Sequence, residues 1–387
     1  MDLSLYIHVP FCKRKCAYCD FYSLAGMEEQ IQAYKDALCL ELAAQSDAYG
    51  HPHVRTIFFG GGTPTLLSGT DLGEIMTLIR NQYDVLPECE ITMEGNPGTL
   101  TAQNLAGYLA AGVNRLSIGV QSFSDDLLQA IGRIHTAAQA VEAVELARQA
   151  GFCNLNLDLM YGLPGQTPES LRESVKTAIR LNPEHLSCYS LIVEPGTPLA
   201  ARLDAGEGAG LPDEDSAAEM EEDLKRRLRD AGYGRYEVSN YAKPGFECRH
   251  NIVYWECEPY LGFGPSAHSD CGGQRFYNPD DLTTYLDSAM RGQAYMMEGT
   301  GSLAERRYER MMMGLRMTRG VDTARFRQDF GTEPEAAWPG TMDEMRRFNM
   351  LVRESDRIRL TESGMDVMNH WLVRMLDEEE TGDPEQK

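Results

Sequence analysis

Six short runs of apolar and β-branched residues alternate with longer amphipathic stretches through the first half of the chain, and this alternation constrains the fold most strongly. The strand-like runs span residues 5–9, 56–59, 90–94, 115–120, 154–161 and 185–193. Helical spacing of apolar residues follows within 28–45, 71–81, 137–150 and 168–180, and from about residue 101. Strands and helices in this order pair in parallel through right-handed crossovers. We therefore predict an α/β fold built on a partial six-unit barrel, since eight units usually need a longer chain.

The alternation stops after Leu199, and the rest of the chain has a different character. Glycines cluster between residues 204 and 210 and predict a linker. We predict a partial barrel over residues 1–200, a connecting mixed α/β region over 201–300, and a small, mainly helical C-terminal domain over 301–376 with a β-ribbon near 352–360. Residues 377–387 hold six acidic residues and one lysine, which predicts a disordered tail.

The acidic balance of the chain restricts its partners. Asp and Glu outnumber Lys and Arg by 59 to 36, a net charge of −23. This charge argues against nucleic acid or an anionic membrane surface as the main partner. No run approaches the roughly 18 apolar residues of a membrane span. The first basic residues follow the first apolar run, the reverse of a signal peptide. We therefore expect a cytosolic protein whose ten cysteines are free thiols or ligands.

Three of the cysteines are grouped directly after the first strand. Cys12, Cys16 and Cys19 have the spacing Cys-x3-Cys-x2-Cys on a loop rich in lysine and arginine. Three thiolates can bind three irons of a [4Fe-4S] cluster, which leaves the fourth iron open to a small molecule. A structural zinc site is the alternative, but it needs four ligands, and no second cysteine pair follows at that spacing. Three incidental buried cysteines are the least favoured interpretation, because all three share one basic loop.

Glycine and polar residues recur where the predicted strands end. They are Gly61, Gly62 and Thr63 after the second strand, Glu94 at the end of the third, Gln121 and then Arg133 after the fourth, and Asp158 in the fifth. Singly, each residue is more often a turn residue, a helix cap or a surface side chain. Their recurrence at successive carboxyl ends, where barrel sites lie, favours one site shared with the cysteine loop.

The cysteine spacing, with Tyr18 before the last cysteine, resembles that of the radical S-adenosylmethionine superfamily. The resemblance implies a partial (β/α)6 barrel, a [4Fe-4S] cluster on Cys12, Cys16 and Cys19, and S-adenosylmethionine bound to the open iron. Carried over by motif, it also implies the residues that line the S-adenosylmethionine site. These are Tyr6, Tyr18, Gly61, Gly62, Thr63, Glu94, Gln121, Arg133 and Asp158.

Four longer motifs narrow the resemblance. They are Tyr-Ile-His-Val-Pro-Phe-Cys, Gly-Gly-Gly-Thr-Pro-Thr, Gly-Val-Gln-Ser and Asp-Leu-Met-Tyr-Gly-Leu-Pro-Gly-Gln-Thr. They are similar to motifs of oxygen-independent coproporphyrinogen III dehydrogenases and of heme chaperones of the HemW type. The dehydrogenases have a further cysteine two residues after the triplet, where this chain has Phe21, and an N-terminal extension before a strand that here begins almost at Met1. Both differences favour the chaperones.

A further motif, His-Asn-x-x-Tyr-Trp, comprises His250, Asn251, Tyr254 and Trp255. The residues alone leave two interpretations near parity. In the first, His250 binds heme iron while the two aromatic rings supply a flat apolar surface. In the second, His250 and Asn251 cap a turn and the aromatic rings belong to the core. The motif resembles the segment near the heme site of HemW-type proteins, which favours heme binding. His268 is a less favoured alternative ligand.

The resemblance implies a function and partners. We expect a heme chaperone that carries heme as cargo to apo-hemoproteins, including respiratory enzymes at the membrane, with transient membrane association. A homodimer that forms when the cluster is loaded is part of the same expectation, and the protein supplies no catalytic residue. The alternative is an oxygen-independent coproporphyrinogen III dehydrogenase, which decarboxylates its substrate oxidatively to protoporphyrinogen IX.

Overall fold

One twisted sheet forms the centre of the molecule. The computed structural model describes residues 2–208, 210–292 and 295–382, and this part of the chain contains a sheet of twelve strands. Six of them are the predicted barrel strands: β1 (Asp2–Val9), β2 (His53–Gly61), β3 (Asp84–Gly95), β4 (Arg115–Gln121), β5 (Leu155–Tyr161) and β6 (His185–Ser190). They pair in parallel in chain order, so the predicted α/β fold with a partial six-unit barrel is confirmed.

Helices connect successive barrel strands, as the alternating pattern predicts. They are α1 (Ile31–Ala48), α2 (Gly69–Gln82), α3 (Ala102–Ala111), α4 (Asp125–Ala130), α5 (Ala137–Ala150) and α6 (Pro168–Leu181). The α2 helix begins with a capping box between Ser68 and Asp71, which satisfies backbone N–H groups at its first turn. Its buried residues Leu72, Ile75 and Ile79 form the stripe that the sequence spacing predicts.

Residues 198–299 add helices and strands around the barrel. The helices are α7 (Pro198–Asp204), α8 (Glu214–Asp230), α9 (Arg249–Trp255) and α10 (Leu282–Met290). The strands are β7 (Gly234–Arg235), β8 (Asn240–Ala242), β9 (Tyr260–Phe263), β10 (His268–Cys271), β11 (Gln274–Tyr277) and β12 (Met296–Gly299). Strand β8 pairs with β6, whereas β9 pairs in parallel with β1. The region that the sequence suggested as a connection therefore extends the barrel sheet at both edges.

The last part of the chain forms a small unit with its own apolar core. It comprises α11 (Leu303–Gly314), β13 (Val321–Asp322), α12 (Thr323–Phe330), α13 (Pro334–Ala337), α14 (Pro339–Arg347), β14 (Leu351–Glu354), β15 (Arg357–Leu360), α15 (Glu362–Asp366) and α16 (Met368–Gly382). The core includes Met311, Phe326, Trp338 and Met342, all fully or almost fully buried. The expected β-ribbon is present as β14 and β15.

The acidic tail is more ordered than its composition predicts. Helix α16 continues to Gly382, so the expected disorder is wrong for residues 377–382, while residues 383–387 lie outside the described residues. The reason is tertiary pairing: Glu379 accepts from Arg307, and Glu378 accepts from the backbone N–H groups of Gly340 and Thr341 at the start of α14. Composition carries no information about such partners. Among the described helices, none has both the length and the apolarity to cross a membrane.

Candidate functional site

The cysteine loop lies at the carboxyl end of β1 and is fixed by backbone contacts on both sides. The N–H of Ala17 donates to the carbonyl oxygen of Ile131, which follows α4, at 3.0 Å. The carbonyl oxygen of Ala17 accepts from the N–H of Leu199 in α7 at 2.8 Å. The position of Cys16 and Cys19 around Ala17 is therefore set by two neighbouring helices.

A cavity of about 380 Å³ opens between this loop and the carboxyl ends of the barrel strands. The predicted site residues that line it are Cys12, Cys16, Tyr18, Cys19, Gly61, Gly62, Thr63, Glu94, Gln121, Arg133 and Asp158. The structure thus brings eleven of the predicted residues together in the lining of one cavity. Asn96, Met160 and Tyr189 also line it. Met160 belongs to the Asp-Leu-Met-Tyr-Gly-Leu-Pro-Gly-Gln-Thr motif, whereas the sequence signal for Asn96 and Tyr189 was their position near strand ends.

Tyr6 is the one predicted residue of this group that lies apart from the cavity lining. Its hydroxyl lies 3.1 Å from Nδ1 of His8, and its ring stacks on Phe58 inside the barrel. Side chains alternate between the two faces of a strand, so Tyr6 and His8 both point into the barrel. Tyr6 therefore contributes to the floor of the barrel interior.

The three thiols suit a multi-iron cluster better than a single metal ion. Within the described residues, no three His, Cys, Asp or Glu side chains converge on one position that could hold a metal ion. The thiols of Cys12, Cys16 and Cys19 instead share the wall of one cavity. In a [4Fe-4S] cluster each thiolate binds a different iron, so the ligands need not converge. The donor set and the cavity therefore fit such a cluster, which Cys12, Cys16 and Cys19 would hold.

Three polar side chains, which we call the polar belt, connect two of the thiols. Thr63 Oγ1 donates to Cys12 Sγ at 3.5 Å, and Asn96 Nδ2 donates to Thr63 Oγ1 at 2.9 Å. Arg133 donates to Asn96 Oδ1 at 2.5 Å and to Cys16 Sγ at 3.4 Å. Because Thr63 accepts from Asn96, its own proton is free to point at the sulfur. The polar belt of Thr63, Asn96 and Arg133 therefore directs two donors at the thiols.

The glycines at the end of β2 permit a close approach between two strand ends. A side chain on Gly61 would lie 2.6 Å from the His8 ring, and the φ angle of Gly61 is +104°, which favours glycine. A Cβ on Gly62 would lie 2.6 Å from the carbonyl oxygen of Phe11. The N–H of Gly62 instead donates to the carbonyl oxygen of Val9 at 2.8 Å. These glycines hold the cysteine loop against β2.

Replacing Gly62 by alanine is expected to lower the free energy of unfolding by about 1–3 kcal/mol, because the added methyl group meets fixed backbone atoms. Gly73 in α2 is the matched control, since a Cβ there meets no atom within 4 Å. Gly73→Ala should raise the free energy of unfolding by about 0.5–1 kcal/mol through the better helix propensity of alanine. Urea titration of both variants measures the difference. Equal free energies of unfolding for the two variants would contradict the close approach at Gly62.

Two carboxyl groups line the far side of the cavity. Burial and the neighbouring Asp158 carboxylate raise the pKa of Glu94 to about 8. Burial also raises the pKa of Asp158, against hydrogen bonds such as that from Asn156 Nδ2 at 2.7 Å. A positively charged ligand in the cavity would therefore lower the pKa of both carboxyl groups and favour their ionised forms.

The predicted heme residues lie on α9, which packs into the barrel beside β2 and β3. His250 is 1% exposed, and both of its ring nitrogens have partners: Thr56 Oγ1 at 2.7 Å and the Tyr254 hydroxyl at 2.9 Å. Its ring also stacks on Phe58. Burial lowers the pKa of His250 to about 3. In this conformation His250 offers no free nitrogen to a metal.

The other residues of the motif are less enclosed. Asn251 and Tyr254 are half-buried. Trp255 is half-buried and lies under the guanidinium group of Arg316, and its Nε1 has no hydrogen-bond partner. The alternative ligand His268 is exposed and stacks on Tyr277. The motif thus lies on a helix that packs into the barrel. None of its four residues belongs to the lining of the cysteine cavity.

Glu90 on β3 fixes the start of α9. Its carboxylate accepts from the backbone N–H groups of Arg249 at 3.1 Å and His250 at 3.0 Å. Glu90 and Glu94 point to the same face of β3, four residues and about 13 Å apart. The heme motif and the cysteine cavity therefore lie at different depths of one barrel. Fully buried Arg115 on β4 carries the positive charge between Glu90 and Asp158.

Comparisons with known proteins place this chain in a family. Residues 6–178 match the model of the Radical SAM superfamily, and residues 302–367 match that of the HemN C-terminal domain. The heme chaperone HemW of Bacillus subtilis (strain 168) is 39% identical over 377 residues, which cover 97% of this chain and 99% of that protein. The chain belongs to the HemW family of the radical SAM superfamily. HemW of Escherichia coli (strain K12) is 38% identical over 382 residues, covering 97% of this chain and 98% of that protein.

A solved structure supports the fold of this HemW family member. Coproporphyrinogen III oxidase (HemN) from Escherichia coli, described as a radical SAM enzyme, superposes with a TM-score of 0.84. The match covers 96% of this chain and 89% of that chain at 24% sequence identity. At this identity the likeness establishes the shared fold, including the small C-terminal unit, and leaves the reaction to be argued from the site.

Proposed function

We propose that this protein is a heme chaperone that binds a [4Fe-4S] cluster and S-adenosylmethionine in the cysteine cavity and carries heme as its cargo. The observation that carries the proposal is the set of three thiols on the wall of one cavity at the barrel mouth. The names of the full-length relatives supply the chaperone role. Apo-hemoproteins, including respiratory enzymes at the membrane, are the proposed recipients, and cluster loading is proposed to favour a homodimer.

The chain's own residues would bind and orient these groups. Cys12, Cys16 and Cys19 would hold the cluster, while Thr63 and Arg133 donate to two of the sulfur atoms. A bound cluster would supply an iron with an open coordination position for S-adenosylmethionine. The carboxyl groups of Glu94 and Asp158 would complement the positive charge of that ligand. Tyr18, Gly61, Gly62 and Gln121 would complete the walls.

The residues that contact heme remain predictions. His250, Asn251, Tyr254 and Trp255 are proposed on the sequence motif, and ligation of iron by His250 requires its ring to leave Thr56 and Tyr254. Such a step would move α9 or open the barrel at β2. His250→Ala is therefore expected to change the Soret band of bound heme only if α9 rearranges on binding.

A second candidate function is oxygen-independent coproporphyrinogen III dehydrogenase activity. The shared fold with HemN favours it. Phe21 argues against it, since the dehydrogenase motif has a cysteine at this position, and the Phe21 side chain is 68% exposed beside the cavity.

One anaerobic experiment separates the two functions. The cluster-loaded protein is incubated with a reductant, S-adenosylmethionine and coproporphyrinogen III, and released carbon dioxide is measured. In parallel, hemin-loaded protein is mixed with apomyoglobin, and the transfer is followed by the Soret spectrum. The proposal expects complete hemin transfer and no carbon dioxide above the protein-free control. Multiple turnovers of decarboxylation, or failure of the protein to bind hemin, would contradict the chaperone function.

A further inference from the structure

The mouth of the cysteine cavity exposes large apolar side chains. Phe21 and Tyr189 line the cavity and are 68% and 39% exposed. Ile134, which is 53% exposed, lies in the adjoining cleft that shares Cys16, Asn96 and Arg133 with the cavity. Scattered apolar residues are normal on a protein surface, but Phe21 and Tyr189 line one cavity and Ile134 lines the cleft that adjoins it. They offer an apolar contact surface around a charged interior.

Three consecutive basic residues lie beside the same opening. Within the described residues, no carboxylate lies in ion-pair range of Lys13, Arg14 or Lys15, and the two lysines donate to backbone oxygens of Gly98 and Phe21. Arg148, by comparison, is paired with the carboxylate of Glu184. In a protein of net charge −23, an unpaired basic group at a cavity mouth is a local attraction for an anion.

We propose that heme docks across this mouth, with its macrocycle against the apolar residues and its propionates towards the basic residues. We call the surface the mouth patch: Lys13, Arg14, Lys15, Phe21, Ile134 and Tyr189. The inference rests on the proposed chaperone function and names the site of its cargo. Heme combines a flat apolar ring with two carboxylates at one edge, which matches apolar and basic residues side by side.

The dimensions favour docking over the mouth instead of inside the cavity. A cavity of about 380 Å³ is at the small end of the range for ligand sites, and the cluster and S-adenosylmethionine would occupy it. The mouth patch is accessible as the structure stands. Buried His250, by contrast, has both ring nitrogens in hydrogen bonds. Docking at the mouth patch therefore needs no rearrangement of α9.

The test compares hemin affinity between two matched double variants of the cluster-loaded protein. Arg14→Glu/Phe21→Ser alters the mouth patch, and Arg347→Glu/Phe348→Ser makes the same changes at an exposed site at the end of α14. Anaerobic Soret difference titrations should show at least tenfold weaker binding for the first variant and binding within twofold of wild type for the second. Iron and sulfide contents are measured on every sample, so that a loss of the cluster is recognised.

A second variant keeps the proposal testable if the first fails to load its cluster. Ile134→Ser/Tyr189→Ser alters the mouth patch outside the cysteine loop and should also weaken hemin binding at least tenfold. Wild-type affinity in a loaded mouth variant, with a loss confined to His250→Ala, would overturn the docking site and leave the chaperone function intact. Absence of hemin binding by the wild-type protein would overturn the chaperone function itself.

Discussion

Replacement of Arg115 by methionine is expected to lower the free energy of unfolding by about 3–5 kcal/mol, because it removes the buried positive charge that lies near buried carboxyl groups. Arg115 is 2% exposed, and its positive charge faces Glu90 and Asp158 inside the barrel. Methionine has a similar length but no charge, so these carboxyl groups would stay buried without compensation. Chemical denaturation followed by circular dichroism measures the loss.

The loss of unfolding free energy caused by Arg115→Met should grow as the pH rises. Arg115 lowers the pKa of Asp158, so its removal raises that pKa further, and the carboxyl group becomes neutral over a wider range. Arg115 also lowers the pKa of Glu94, which is about 8, so more of the uncompensated carboxyl charge is ionised at pH 8 than at pH 6. Arg180→Met, at an exposed position in α6, serves as the control and should cost less than 0.5 kcal/mol. If Arg115→Met lowers the free energy of unfolding by less than about 1 kcal/mol at both pH values, Arg115 does not act as the buried positive charge that compensates these carboxyl groups.

The second large effect is expected at the polar belt. Asn96→Ala should lower the midpoint potential of the bound cluster by about 60–120 mV, which corresponds to roughly one charged hydrogen bond lost for a one-electron couple. The sign follows because donors at the sulfur atoms stabilise the reduced, more negative cluster. Without Asn96, the Thr63 hydroxyl loses the donor that directs its proton towards Cys12, and Arg133 loses one of its two oxygen partners and keeps only the carbonyl oxygen of Gly119.

The potential is measured by an anaerobic redox titration followed by electron paramagnetic resonance. Asn81→Ala, at an exposed position in α2, is the control and should leave the potential unchanged. Thr63→Val should give a smaller shift in the same direction, since it removes one donor. An Asn96→Ala protein with a full cluster and an unshifted potential would show that the polar belt does not act on the sulfur atoms.

The barrel and the cavity were predictable because both follow from local sequence. Parallel strands connected by helices bring their carboxyl ends to one edge, so residues such as Glu94 and Asp158 had to meet. The cysteine spacing placed three thiols on the loop after the first strand. Asn96 follows the same rule, but one amide after a strand is indistinguishable from a turn residue until its partners Thr63 and Arg133 are seen.

Other features depend on contacts that are distant in sequence. The sheet continues through β9, because a segment near residue 260 returns to pair with β1, and short strands between glycine turns carry little periodic signal. The burial of His250 depends on Thr56, which is 194 residues away. The ordered start of the acidic tail depends on Arg307 in α11. No pattern within a short window contains these pairings.

The most direct test of the cysteine site is the iron and acid-labile sulfide content of protein reconstituted without oxygen. The site predicts about four iron and four sulfide per chain for the wild type. It predicts almost none for the triple variant Cys12→Ala/Cys16→Ala/Cys19→Ala. Cys153→Ala, which removes an exposed cysteine elsewhere, should retain the wild-type content. A wild-type protein that binds no iron or sulfide, or a triple variant that binds as much as the wild type, would contradict the site.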